Sequence, residues 1–120
     1  MELTDFVKVY NDVISAETCR KIIDEYERHS STAEEHDTDV YKFHQLNLNQ
    51  TPDLKELSEV VARSLIPIYE DYFNSLGLRS FVNIDTFEDI RIKKYAKGTD
   101  DQFKTHVDIT DHKSAARFCI

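Results

Sequence analysis

The segment TPDLKELSEVVARSLIPIYEDYFNSLG, residues 51–77, constrains the fold more than any other stretch. Its ends are punctuated: Thr51 can cap, Pro52 suits a first helical position, and Gly77 suits the residue just past a helix end. Between these marks Leu54, Leu57, Val61, Leu65, Ile68, Tyr72 and Leu76 recur three or four apart, the period of one helix face. The segment therefore reads as a long amphipathic helix, which Pro67 is expected to kink or split.

Upstream, DFVKVYNDVIS carries Phe6, Val7 and Val9 among polar residues and reads as a short strand running into a turn. Ser15 is a plausible N-cap for AETCRKIIDEYERHS, where Cys19, Ile22, Ile23 and Tyr26 share a face. STAEEHDTD lacks periodicity and reads as a loop; VYKFHQLNLNQ reads as a strand. After Gly77 the pattern turns strand-like. In FEDIRIKKYAKG, Ile90 and Ile92 alternate with Arg91 and Lys93, and Gly98 ends the run. FKTHVDI and SAARFCI are further strand-like runs, separated by turn residues. A strand, two helices and a run of strands make an α+β chain, expected to be a single domain over 1–120.

With 40% hydrophobic and 32% charged residues the chain is globular rather than disordered. It has no apolar run long enough to span a bilayer, and its first residues do not form a secretory signal, so a cytoplasmic location is expected. In a reducing compartment Cys19 and Cys119 are most simply buried apolar residues. A net charge of -8 argues against non-specific nucleic-acid binding. The charge is uneven. Residues 1–78 hold 16 acids and 7 Lys/Arg, whereas residues 79–120 hold 7 and 8, so the second part hosts a small anion more easily.

The chemistry-bearing feature of that second part is HVD, residues 106–108. On a strand, side chains two apart share a face, so His106 and Asp108 would present an imidazole nitrogen and a carboxylate together, with Val107 turned away. That pair is two thirds of the 2-His-1-carboxylate triad that holds non-haem Fe(II). The same tripeptide also describes a surface His beside a turn acid.

The surroundings of the pair add a resemblance. In IRIKKYAKGTDDQFKTHVDIT, a strand ending in Tyr95, a turn at Gly98, the aromatic Phe103, and His106-x-Asp108 follow in order. This arrangement resembles the prolyl 4-hydroxylase branch of the Fe(II)/2-oxoglutarate-dependent dioxygenases. The likeness covers most of the chain but is motif-grade only over residues 90–120. It implies a double-stranded β-helix (jelly roll) begun at about 79–120, with supporting helices at about 15–77. It implies Fe(II) held by His106 and Asp108, with 2-oxoglutarate and O2 as co-substrates and ascorbate as an accessory reductant. The implied reaction is hydroxylation of a C–H bond, of a prolyl residue or of another group on a protein, peptide or small molecule. Tyr95 matches a residue that can hydrogen-bond the co-substrate; it also fits a half-buried strand Tyr. Phe103 stands where the family often has Tyr, and is expected to be a wall.

The family also needs a second His and, beyond it, a Lys or Arg for the far carboxylate of 2-oxoglutarate. Both are expected past Ile120, which makes the chain the amino-terminal part of a longer domain, its jelly-roll core incomplete. His112 reads as a turn residue rather than a substitute ligand, His44 as a strand residue, and Arg117 as a strand-edge charge. Two other readings stand beside this one. A non-catalytic α+β binding module would lack a complete triad, and a cupin-type metal protein would ordinarily show HxH rather than HxD.

Overall fold

The structure is a computed structural model, and it describes residues 2–78 and 86–111. The first helix, α1 (Ala16–Arg28), starts where the sequence places its cap. Ser15 is extended, and its hydroxyl oxygen accepts a hydrogen bond from the Thr18 N–H at 3.1 Å. Glu17 in the first turn and Arg28 in the last complement the helix dipole. The buried stripe is narrower than expected. Tyr26 is buried and Ile22 packs beside it, one turn earlier, while Ile23 is 60% exposed. Cys19 is also exposed, which corrects the expectation of a buried thiol. Ile22 and Tyr26 are four apart and stack along one line; Ile23 sits about 100° further round the helix.

The second helix, α2 (Lys55–Ser75), is preceded by a 3-10 turn, Pro52–Leu54, so Pro52 begins the turn rather than the helix. Thr51 does not cap through its side chain; its hydroxyl donates to the Asn47 carbonyl at 2.7 Å. Pro67 lies inside α2 and does not split it. A proline removes only its own N–H bond and crowds the carbonyl four residues back. Burial of Leu57 and Val61 before it and Phe73 after it holds the helix on both sides. The helix ends at a Schellman motif: the Gly77 N–H donates to the Asn74 carbonyl at 3.1 Å, and the Leu78 N–H to the Phe73 carbonyl at 2.9 Å. Gly77 takes φ +67, the left-handed conformation that this motif needs.

The strands are β1 (Glu34–Asp37), β2 (Tyr41–Asn47), β3 (Arg91–Lys94) and β4 (Gln102–Phe103). Together they form an open antiparallel sheet in the order β1-β2-β3, with β4 also paired to β2. Two expectations are corrected here. The polar run around Glu34 is a strand, because tertiary pairing overrides its composition: Glu34 pairs with Gln45 and His36 with Phe43. The amino-terminal run is not a strand. Leu3–Phe6 forms a 3-10 turn closed by a capping box between Glu2 and Asp5, and Val7 and Val9 remain 72% and 81% exposed.

The described residues gather into two compact units. One comprises the segments up to Ala33 and from Leu46 to Ile92; the other comprises Glu34–Gln45 and the residues from Lys93 onward. The first unit has a core of Tyr26, Leu46, Leu48, Leu54 and Leu57, against which Ile22, Ala33, Ile90 and Ile92 pack. Leu48 and Leu54 are fully buried, each contributing about 1.5–3 kcal/mol. An amide network fixes its edge. Asp89 accepts from Asn47 Nδ2 at 2.9 Å and Gln50 Nε2 at 3.0 Å, and the Ile90 N–H donates to Asn49 Oδ1 at 2.8 Å.

Candidate metal centre and its aromatic surround

The second unit is built from side chains that β2 exposes on alternate positions. Tyr41 and Phe43 are two apart and stacked, with ring centroids 5.1 Å apart. The pairing of β1 brings His36 opposite Phe43, at 5.3 Å between centroids. The pairing of β4 brings Phe103 opposite Tyr41, edge to face at 5.7 Å. Between β3 and β4 the chain turns through Gly98, at φ +79. The Asp101 carboxylate holds that turn by accepting from the Ala96 N–H at 2.7 Å, and the Thr99 hydroxyl donates to the Ala96 carbonyl at 2.8 Å. Lys42 secures the unit from the side, with Nζ 3.0 Å from Asp100 and 3.3 Å from Asp37. Hydrogen bonds to Asp100 and then Asp37 raise the Lys42 pKa, and the bond from Lys42 lowers that of Asp100.

His106 and Asp108 meet, though not in the way the strand argument expects. Only Gln102–Phe103 of the run FKTHVDI is a strand, and 104–110 is irregular. The pair forms because the chain bends, not because it alternates. The His106 ring lies on Phe103, with centroids 4.2 Å apart and planes at 16°. Its Nδ1 is 2.8 Å from the Lys104 carbonyl oxygen, and its Nε2 is 3.0 Å from Asp108 Oδ1.

This donor set has a definite chemical requirement. A carbonyl oxygen only accepts, so the Nδ1 position carries the proton. In the neutral ring Nε2 then holds a lone pair aimed at a carboxylate. Two acceptors 3.0 Å apart repel unless a proton or a cation sits between them. A ligand imidazole whose other N–H is tied to a backbone carbonyl is the usual arrangement in metal sites. The spacing also suits a metal: neighbouring octahedral ligands about 2.1 Å from one cation lie about 3.0 Å apart. The residues present thus fit a divalent metal as two of its ligands. Among the described residues no third His, Cys, Asp or Glu joins them.

The other expected site residues fall near the pair. Phe103 is the surface on which the imidazole rests. Tyr95 packs edge-on against Phe43 at 5.5 Å, and among the described residues its hydroxyl makes no hydrogen bond. His44 is exposed on β2 and pairs with Glu35, in the side-chain row opposite Phe43. His112, Arg117 and Cys119 lie outside the described residues. Sequence reasoning missed Phe43, His36 and Lys93. Lys93 Nζ lies 4.7 Å from the Phe43 centroid and 5.0 Å from the Phe103 centroid. The alternation IRIKKY was the available signal: with Ile92 facing apolar neighbours, Lys93 had to face the other way.

No family model, curated protein or solved structure matches this chain. No helix among the described residues is long and apolar enough to cross a membrane.

Proposed function

We propose that the chain carries part of an Fe(II)- and 2-oxoglutarate-dependent dioxygenase of the prolyl 4-hydroxylase-like kind, with His106 and Asp108 as two ligands of the metal. One observation carries the reading: an imidazole with Nδ1 committed to the Lys104 carbonyl presents Nε2 to the Asp108 carboxylate at 3.0 Å. The ordered series Tyr95, Gly98, Phe103, His106, Asp108 supports it. The open sheet is in keeping with part of a jelly roll, the fold this reading requires.

Each residue has a task that follows from its contacts. The Lys104 carbonyl selects the imidazole tautomer that leaves Nε2 free to bind. Phe103 fixes the plane of the ring and shields one face from water. Asp108 supplies negative charge that draws a divalent cation to the pair. Tyr95 holds its hydroxyl near the aromatic floor, where it can donate to a bound carboxylate. The iron, when bound, supplies the oxidative chemistry that inserts oxygen into a C–H bond. The substrate is a prolyl residue or another C–H-bearing group of a peptide or small molecule, in a cytoplasmic setting.

The test is turnover of 2-oxoglutarate to succinate by the intact domain, which includes the second His, in the presence of Fe(II) and ascorbate; the 120-residue chain alone is expected to be inactive. The reading expects Fe(II)-dependent turnover that falls to background in Asp108→Ala. Turnover that persists undiminished in that variant would remove Asp108 from the metal and sink the assignment.

A further inference from the structure

We propose that Lys93 is a carboxylate-binding residue, set on the Phe43 and Phe103 rings beside the His106–Asp108 pair. The proposal deepens the dioxygenase reading and rests on it for the ligand's identity. The carboxylate belongs either to the co-substrate or to an acidic substrate.

Three observations carry it. The first is the placement of the charge. The Lys93 ammonium lies 4.7 Å from one ring centroid and 5.0 Å from another, and one of those rings, Phe103, carries His106 on it at 4.2 Å. The cation and the imidazole of the candidate metal pair therefore share the Phe103 ring.

The second is the lack of a counter-charge. Among the described residues Lys42, Arg28, Arg63 and Arg91 each lie within ion-pair distance of a carboxylate, whereas Lys93, like Lys8, Lys21, Lys55, Lys97 and Lys104, does not; Lys93 is set apart by the two rings on which it rests. Among the described residues no carboxylate pairs with Lys93, although it is held in place. Ring faces attract a cation but satisfy none of the three ammonium hydrogens as an anion would. Phe43 is buried, so one side of the ammonium is kept from water, and a charge so placed interacts with an incoming anion more strongly than a fully solvated one.

The third is access. Lys93 is exposed, and so are Phe103 and Tyr95 at its margin. A ligand can reach the ammonium without displacing any described contact. The Tyr95 hydroxyl, without a partner among the described residues, is a second donor near the same floor. Three acids of the unit are already engaged: Asp37 and Asp100 by Lys42, and Asp101 by the Ala96 N–H. The resemblance puts the family's basic anchor beyond His106 in the chain. Lys93 precedes Tyr95 and is an anion contact of different origin.

The experiment uses NMR of the whole chain, following the Phe103 and Tyr95 ring signals in the native chain and in every variant and, in the native chain, the Lys93 ε-methylene signal, which the two rings should move upfield. The first probe is glutarate with metal-free protein. Glutarate has no keto group with which to chelate iron, so this arm stands whether or not the iron reading does. The proposal expects saturable movement of the Lys93 signal, with affinity lowered about tenfold or more in Lys93→Met and Lys93→Gln and kept in Lys93→Arg, as suits a hydrogen bond to a charged group. Unchanged glutarate affinity in both neutral variants, with their folds intact by the remaining signals, overturns it.

The second arm separates the sources, with Mn(II)-loaded protein titrated with 2-oxoglutarate and, separately, with a short glutamate-containing peptide. Selective loss of 2-oxoglutarate affinity in Lys93→Met assigns the residue to the co-substrate. Selective loss of peptide affinity assigns it to the substrate. Loss of neither overturns the proposal, even if Mn(II) binding by His106 stands.

Discussion

His106 is held by three neighbours: a ring beneath it, a carbonyl at Nδ1 and a carboxylate at Nε2. His106 and Asp108 come together, but not by strand alternation through Val107: the chain is irregular there and Val107 is 73% exposed. Period-two reasoning fails where a bend, not a ladder, brings i and i+2 together. That the Phe103 ring lies under the imidazole was not legible in the sequence. If that ring orients the imidazole, Phe103→Ala should weaken divalent-metal binding about 10-fold, the lower end of what supporting contacts around a ligand contribute, while Phe103→Tyr keeps it. Titration with Mn(II) measures this, and equal affinity in Phe103→Ala would show the stacking to be incidental.

A second residue-scale prediction concerns Asp89. Hydrogen bonds from Asn47 and then Gln50 lower its pKa. Its folded pKa is therefore below the unfolded one. The stabilisation is present above the ordinary carboxylate range, near 4, and is lost as pH falls through the folded pKa. Asp89→Asn should be less stable than the native chain at pH 7, and the gap should narrow towards pH 3. Urea midpoints at the two pH values check this; a gap independent of pH would contradict it.

Among the elements, α2 was the most legible because its stop signal is a backbone requirement. Gly77 sits at φ +67, and a Cβ there meets nothing within 4 Å, so the cost of Gly77→Ala is conformational alone. A loss of about 1 kcal/mol is expected by urea denaturation. Pro67 is exposed and lies mid-helix. Pro67→Ala should restore an N–H and stabilise the chain, by at most about 3 kcal/mol. A loss of stability in that variant would mean that α2 needs its proline. Spacing puts Ile23 beside Ile22 and Tyr26, but only Ile22 and Tyr26, on one line, pack. Leu48→Ala should cost about 2–5 kcal/mol, and Ile23→Ala no more than about 0.5 kcal/mol, both read from urea midpoints. The strand at Glu34–Asp37 was not legible, because its stabilisation comes from pairing with Tyr41–Asn47 rather than from its own polar residues. The amino-terminal segment failed in the opposite way: Val7 and Val9 look like strand residues, yet among the described residues no partner strand takes them.

At the scale of the molecule, composition and element order were enough for α+β, and the described residues form two α-helices and an open four-stranded sheet. Which strands adjoin was not readable, since register depends on turns that bring β1 and β4 onto β2. The uneven charge was readable. It pointed to the part of the chain where Lys93 and the His106–Asp108 pair lie, in a molecule whose net charge is -8. That same excess of acids sets the control for any metal experiment, because Mn(II) will associate loosely with acidic surfaces. The most direct measurement is paramagnetic broadening of the NMR spectrum by substoichiometric Mn(II). The account predicts that the His106 ring, Asp108 and Phe103 broaden first, and that His106→Ala and Asp108→Ala each abolish this focus while the rest of the spectrum stays native. Broadening spread over the acidic helices, or a focus at 106–108 that survives both substitutions, would contradict the claim that these two residues hold a metal.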